Sequence, residues 1–184
     1  MQHHYAPAGL DLGDAEKVAT ILQERLASLI DLSLILKHIH WNVVGPHFIA
    51  VHEMLDPQVE TARAYADELA ERIATLGSSA VGTPGALVKA RTWDDYSIGR
   101  ADAIAHLGAL DVVYQGVIAD YRKAAEAVEE ADAVSNDLLI GHLHKLELYH
   151  WFVRAHLESA SGSLSTNGAA KESTAAAKAE SAAN

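Results

Sequence analysis

The sequence predicts an all-α protein: one four-helix bundle with a single long crossover between its second and third helices. Three observations predict it. Apolar residues recur at helical spacing in four long segments, no long segment alternates as a strand does, and the connections are unequal in length. Short first and last loops make their flanking helices antiparallel. The long middle connection lets the second and third helices run parallel. A chain of 184 residues suits one domain with a sizeable core.

The elements follow in order. Residues 1–13 read as a flexible N-terminal arm, 14–160 as the bundle and 161–184 as a disordered tail. Asp14 is the expected cap of the first helix, with Glu16 in its first turn. Val18, Leu22, Leu26, Leu29, Leu32 and Leu36 then form its stripe, while Ile30 and Leu34 fall outside it. An apolar surface this broad faces its own bundle and a second partner as well. The helix ends near Asn42, at Val43-Val44-Gly45-Pro46. A second helix is expected over 47–76 and stops at Gly77-Ser78-Ser79. Pro57 lies inside it, so a continuous but kinked helix is expected, with the Glu53 carbonyl losing its usual partner. Residues 78–100 form the crossover, with a short helix expected at Trp93–Ile98. The third and fourth helices are expected at 101–129 and 135–160. From Ser161 onward Ser, Ala, Gly, Lys and Glu dominate, too little apolar surface to order a segment by itself.

Composition narrows the function. Net charge is −11, which offers no general basic surface for nucleic acid and suits cations or plain solubility. The absence of cysteine excludes disulfides, thiolate metal sites and a cysteine nucleophile. No stretch approaches the roughly 18 apolar residues of a membrane span. The N-terminus lacks a basic segment followed by an apolar core, so the protein reads as cytoplasmic. Eleven histidines against two phenylalanines is the unusual bias. His3 and His4 fall in the arm.

Candidate ligands concentrate in HWNVVGPHFIAVHEMLDP, residues 40–57. His40 sits in the last turn of the first helix. His52 and Asp56 are i, i+4 on the second and share a face. Asp67 lies three turns beyond Asp56, and Glu71 follows it by four. The four, with Glu60, form one stripe about 100° wide. Asp56 and Asp67 are about 16 Å apart along the axis, so one centre cannot use both pairs from one helix. A two-fold dimer packing two copies of this helix antiparallel would set His52 and Asp56 against Asp67 and Glu71 of the other copy, with His40 joining the first pair. Two histidines and three carboxylates suit iron(II), manganese or zinc. A charged stripe is also, more often, simply a solvated face.

Neighbouring motifs are weaker. His47 reads as a turn residue and Trp41 as core. His52-Glu53-Met54-Leu55-Asp56 approaches the HExxH pattern of zinc hydrolases but has Asp where the second His belongs. Glu147-Leu148-Tyr149-His150 matches the ExxH of di-iron bundles, which need a second copy that this sequence lacks. His150 therefore reads as structural or exposed. His142 and His144 point to different faces and do not chelate together.

The unequal connections are those of the ferritin-like bundle, and KHIHWNVVGPHFIAVHEMLD (37–56) with ADELAERIATLG (66–77) resembles the Dps family of mini-ferritins, over roughly 14–160 and most like actinobacterial members. The resemblance implies a hollow twelve-subunit homo-oligomer with a ferroxidase centre at each two-fold interface, holding two irons at full occupancy. His40, His52 and Asp56 match the family's ligands from one subunit, Asp67 and Glu71 those from its partner, and Lys37 and Trp41 residues beside the centre. Iron(II) would be oxidised by hydrogen peroxide in preference to oxygen and stored as ferric mineral, limiting oxidative damage. Asp132 and Asp137 resemble acids of the family's iron-entry pore, although Gly141 replaces a further acid there.

DNA-binding members often carry cationic tails. Here no Lys or Arg precedes Lys17, and Lys171 and Lys178 are balanced by Glu172 and Glu180. Weak or absent DNA binding is expected. A nucleoid-compacting protein is the alternative from another class, and metal-assisted amide or ester hydrolysis at a metal-bound water is a third.

Overall fold

The computed structural model describes residues 5–183. Its long helices are α1 (Leu12–Asn42), α2 (Phe48–Thr75), α4 (Ala103–Val128) and α5 (Ala133–Ala155). Between them lie β1 (Val43–Val44), the short α3 (Pro84–Ala90) and β2 (Ala101–Asp102), and α6 (Glu172–Ala183) is the last element among the described residues. α1 packs chiefly on α2, α4 on α5 and α6, and α1 against α4 joins the pairs. The expected four-helix bundle with a long crossover is thus the observed one. β1 pairs in parallel with β2, Val43 against Ala101. Since β1 leads toward α2 and β2 into α4, the crossover returns the chain to the end of the bundle where α2 began.

The core runs along the bundle axis. Leu22, Leu29 and Leu36 of α1, Leu55 and Ile73 of α2, Leu107 and Tyr114 of α4 and Leu139 and Val153 of α5 are all buried. Each large side chain so placed contributes about 1.5–3 kcal/mol of transfer free energy. Leu34 is exposed, as its place off the stripe predicts. α2 continues through Pro57. There the Gln58 side-chain Nε2 donates to the Met54 carbonyl at 3.2 Å and the Tyr149 hydroxyl to the Pro57 carbonyl at 3.3 Å.

Several boundaries differ from expectation. The cap of α1 is Asp11, whose carboxylate accepts from Gly13 N–H at 2.8 Å, and Asp14 sits in the first turn. His3 and His4 lie outside the described residues. Beyond them, the segment expected as a flexible arm is docked. Tyr5 donates to the Ala74 carbonyl at 3.2 Å, and Ala6 and Leu10 pack against the core. The short crossover helix is at Pro84–Ala90 rather than Trp93–Ile98. Thr83-Pro84 reads as a breaker but is a helix start, because proline at the first helical position loses no needed N–H. Segment 91–97 is fixed by side chains instead. Arg91 bonds Asp94 O at 2.8 Å and pairs with Asp95, and Trp93 Nε1 donates to Asp31 at 2.6 Å.

The largest correction is the C-terminal segment, expected to be disordered. Leu164 packs on the core, Thr166 is buried, and residues 172–183 form α6. Composition misled because alanine buries little area. Ala175, Ala176 and Ala179 nevertheless share a face that closes on Ala105, Gly108 and Ala109 of α4. A Cβ at Gly108 would stand 2.7 Å from the Ala175 carbonyl oxygen and 2.8 Å from Ala179 Cβ. Gly108→Ala therefore forces α6 outward, costing about 1–3 kcal/mol of docking. The same change favours α4 itself by about 1 kcal/mol. The expected outcome is faster tryptic cleavage at Lys171 and Lys178 with little loss of bundle melting temperature. Cleavage at the native rate contradicts this close packing.

Candidate metal centre

The turn after α1 brings the first candidate ligands together. Gly45 takes φ +95°, and a Cβ there would lie 2.1 Å from an Asp102 oxygen, so glycine alone suits both the backbone and the space. Asp102 is already engaged as the cap of α4, accepting from Ile104 N–H at 3.0 Å. The turn is thereby fixed against the second half of the bundle, and it sets the end of α1 beside the start of α2.

His40 and His52 face each other across this turn. Their rings stack at 3.6 Å between centroids and 23° between planes. Each Nδ1 lies 3.0 Å from the other residue's backbone carbonyl. A carbonyl only accepts, so both Nδ1 atoms carry the proton. In the neutral ring each Nε2 is left as a lone-pair donor with no protein partner among the described residues, a tautomer able to bind a metal. Phe48 packs on the His52 ring at 4.9 Å.

Asp56 completes the group. Its Oδ1 lies 2.8 Å from Lys37 Nζ and 3.2 Å from His40 Nδ1. The Lys37 hydrogen bond is the main reason its carboxyl sits below the usual carboxylate range, with His40 and His52 adding to the effect. Asp56 is therefore ionised at neutral pH, and Lys37 holds a cation's place beside it.

The structure does not bring all five predicted ligands together within one protomer. Asp67 and Glu71 are exposed further along α2 and make no ion pair among the described residues. Nor, among the described residues, do three or more His, Asp or Glu side chains gather closely enough to hold a metal ion. The five fall into two groups on one protomer, His40, His52 and Asp56 at the turn and Asp67 and Glu71 further along α2. Trp41, expected in the core, is 71% exposed, and Ile49 at the start of α2 is 57% exposed. Phe48, packed on the His52 ring, is likewise exposed, so this end of the bundle presents large apolar side chains to solvent.

Other candidates fall elsewhere. His47 precedes α2 with no side-chain capping bond and is exposed. His150 is buried and structural, 2.6 Å from Asp111 Oδ1, while Glu147 of the same ExxH pairs with Arg122. His142 Nε2 bonds Glu68 at 2.9 Å while His144 is exposed, so the two are separate. Asp132 does not stand open as a pore acid in the protomer. It caps α5 and bonds Arg72 and Ser135 at 2.5 Å each, at 8% exposure. Burial pushes its carboxyl up, but Ser135 and Arg72 more than offset this and hold it below the ordinary range. The sequence signal for that role was available: an Asp three residues before Ser135, at a helix start, is a capping pattern. Asp137 is exposed. Sequence reasoning missed Phe48, which its i, i+4 spacing to His52 could have flagged, and Asp111, an isolated acid in an apolar helix.

This fold and this paired half-site define a ferritin-like protein, and a Ferritin-like domain model matches residues 19–162. The chain is 61% identical over 171 residues to the DNA protection during starvation protein of Mycolicibacterium smegmatis, covering 93% of each. The solved Mycobacterium smegmatis Dps, tetragonal form, superposes with TM-score 0.88 at 60% identity, covering 90% of this chain and 100% of that one. DpsA14 from Streptomyces coelicolor superposes with TM-score 0.87 at 61% identity, covering 88% and 96%. The chain belongs to the Dps family. Among the described residues, no helix is long and apolar enough to cross a membrane.

Proposed function

We propose that the protein is a ferroxidase and iron-storage cage, built as a homo-dodecamer whose centres are shared across two-fold interfaces. One observation carries the reading: a His40–His52 pair locked by reciprocal Nδ1–carbonyl bonds, both Nε2 lone pairs free, beside an ionised Asp56. Half a metal site of this kind, with the exposed Phe48 packed on His52, is incomplete without Asp67 and Glu71 of a symmetry mate.

In this reading iron(II) is the substrate. Two ions enter each centre, and the first displaces the Lys37 ammonium from Asp56. Hydrogen peroxide accepts one electron from each iron, so its O–O bond breaks in a single two-electron step and hydroxyl radical is not released. Water supplies the remaining oxygen of the hydrated ferric oxide and its protons leave to solvent. Carboxylates hold ferric ion well and neutral imidazole holds it less well. The product therefore shifts from the histidine side toward carboxylates, in the direction of storage. With Asp132 committed to Arg72, Asp137 is the remaining acid for cation entry. The test is iron(II) titration of the size-fractionated protein, with peroxide against oxygen as oxidant. Rapid oxidation faster with peroxide is expected, and oxidation no faster than in buffer contradicts the reading.

DNA binding is expected to be weak. Lys178 Nζ bonds the Asn167 carbonyl at 2.7 Å, which ties one of the two tail cations to the docked segment. No plasmid retardation is expected at about 150 mM salt without divalent metal. A clear gel shift under those conditions contradicts it.

A further inference from the structure

A cavity of about 460 Å³ lies between α1, α4, segment 91–97 and the start of α6, away from the residues of the metal half-sites. Its floor is aliphatic: Leu32 and Ile35 from α1, Val113 and Val117 from α4. Trp93 forms part of the wall, fixed there by the 2.6 Å bond from its indole N–H to Asp31.

The polar lining is acidic: Asp31, Asp94, Asp95, Asp120 and Glu172, against Lys171 alone. Most of these acids are already neutralised. Arg91 pairs with Asp95 and lies 3.3 Å from Asp31, and Lys123 is 3.1 Å from Asp120. Asp94 and Glu172 have no ion pair among the described residues. Glu172 accepts only a long bond, 3.3 Å, from Ser97 N–H. Burial, with Asp31 and Asp94 nearby, pushes its carboxyl above the ordinary range despite that bond and the opposing charge of Arg91. Asp94 and Glu172 thus border an apolar slot under the influence of the Arg91 charge, with no direct ion pair to either among the described residues.

The lining selects its occupant. A hydrated divalent ion would satisfy the carboxylates but gain nothing from the floor. A neutral apolar molecule would cover the floor and leave Asp94 and Glu172 without a direct ion pair. An alkyl chain with ammonium groups along it does both, as lysine stems do on protein surfaces, and the Trp93 face attracts cations as well. We propose that this cavity binds a linear aliphatic polyamine, its methylenes on Leu32, Ile35, Val113 and Val117 and its ammonium groups at Asp94 and Glu172. Because Glu172 belongs to α6 and Asp94 to the crossover, occupancy ties the C-terminal helix to the bundle. The site is independent of the iron chemistry, so either can fail alone.

The test is calorimetric titration of the full-length, iron-free assembly with 1,4-diaminobutane. Saturable binding is expected, about tenfold weaker for butylamine and not displaced by magnesium chloride at matched ionic strength. Asp94→Asn with Glu172→Gln is expected to weaken it at least about tenfold, leaving gel-filtration volume and iron-oxidation rate unchanged. Equal displacement by magnesium, or undiminished binding in the double variant, overturns the proposal. The ligand series on the unaltered protein decides the matter even if the variant does not fold.

Discussion

Asp67→Ala with Glu71→Ala is expected to lower the rate of rapid iron(II) oxidation by at least about 100-fold while the oligomer still assembles. Losing even a supporting group costs about 10–100-fold in metal affinity, and here two proposed direct ligands go. Both side chains are exposed and unpaired among the described residues, so their removal leaves the protomer's own packing alone. Surface changes of that kind fall within about 0.5 kcal/mol in stability. Stopped-flow absorbance of ferric product, with gel filtration alongside, checks both halves of the expectation. Unaltered kinetics would remove these residues from the site.

Asp111→Ala is expected to be the most destabilising single change outside the apolar core. Asp111 is 1% exposed. Its Oδ1 accepts from His150 at 2.6 Å and Arg154 at 2.9 Å, and its Oδ2 from Thr166 at 2.7 Å and Gln115 at 2.9 Å. Removing the acceptor leaves these donors stranded, two of them from ionisable side chains. Breaking a buried pair in this way costs about 3–5 kcal/mol, a large share of the 5–15 kcal/mol typical of a domain. Thr166 is also the bond holding the C-terminal segment, so that segment should loosen first, visible as lost amide-exchange protection in α6.

The same residue sets a pH dependence. Burial pushes the Asp111 carboxyl up, but bonds from His150, Thr166 and Arg154 hold it at about 2, below the ordinary 3.8. The folded value is the lower one, so this contribution is fully present above pH 4 and is lost as pH falls toward 2. It amounts to about 2 kcal/mol. Denaturant midpoints measured from pH 5 to pH 2 should fall less steeply for Asp111→Asn than for the native chain.

Much of the architecture was legible because long amphipathic periods and loop lengths carry it. Leu22, Leu29 and Leu36 mark the core face of α1 whatever their partners, and a 27-residue connection between α2 and α4 dictates parallel helices. Pieces held by small residues or by single side-chain bonds were not legible. The Ala175–Ala179 face is invisible to composition until Gly108 is known to lie beneath it. Residues 91–97 are fixed by Arg91 and Asp31, which are 60 apart in sequence. At the site, the candidate ligands are named by residue type and helical spacing. The Nδ1–carbonyl exchange between His40 and His52 does not, because it depends on how the Gly45 turn aligns two backbones.

The sharing of ligands between protomers is the central claim, and complementation tests it most directly. Two variants are prepared, one with His40→Ala, His52→Ala and Asp56→Ala, the other with Asp67→Ala and Glu71→Ala. Each alone is expected to be inactive toward iron(II). After dissociation, mixing and reassembly in equal amounts, half the two-fold pairs contain one chain of each kind, and each such pair has one intact centre. Recovery of about a quarter of native oxidation is the predicted result. No recovery, in mixed assemblies verified by mass, would place the centre within single chains or elsewhere in the molecule.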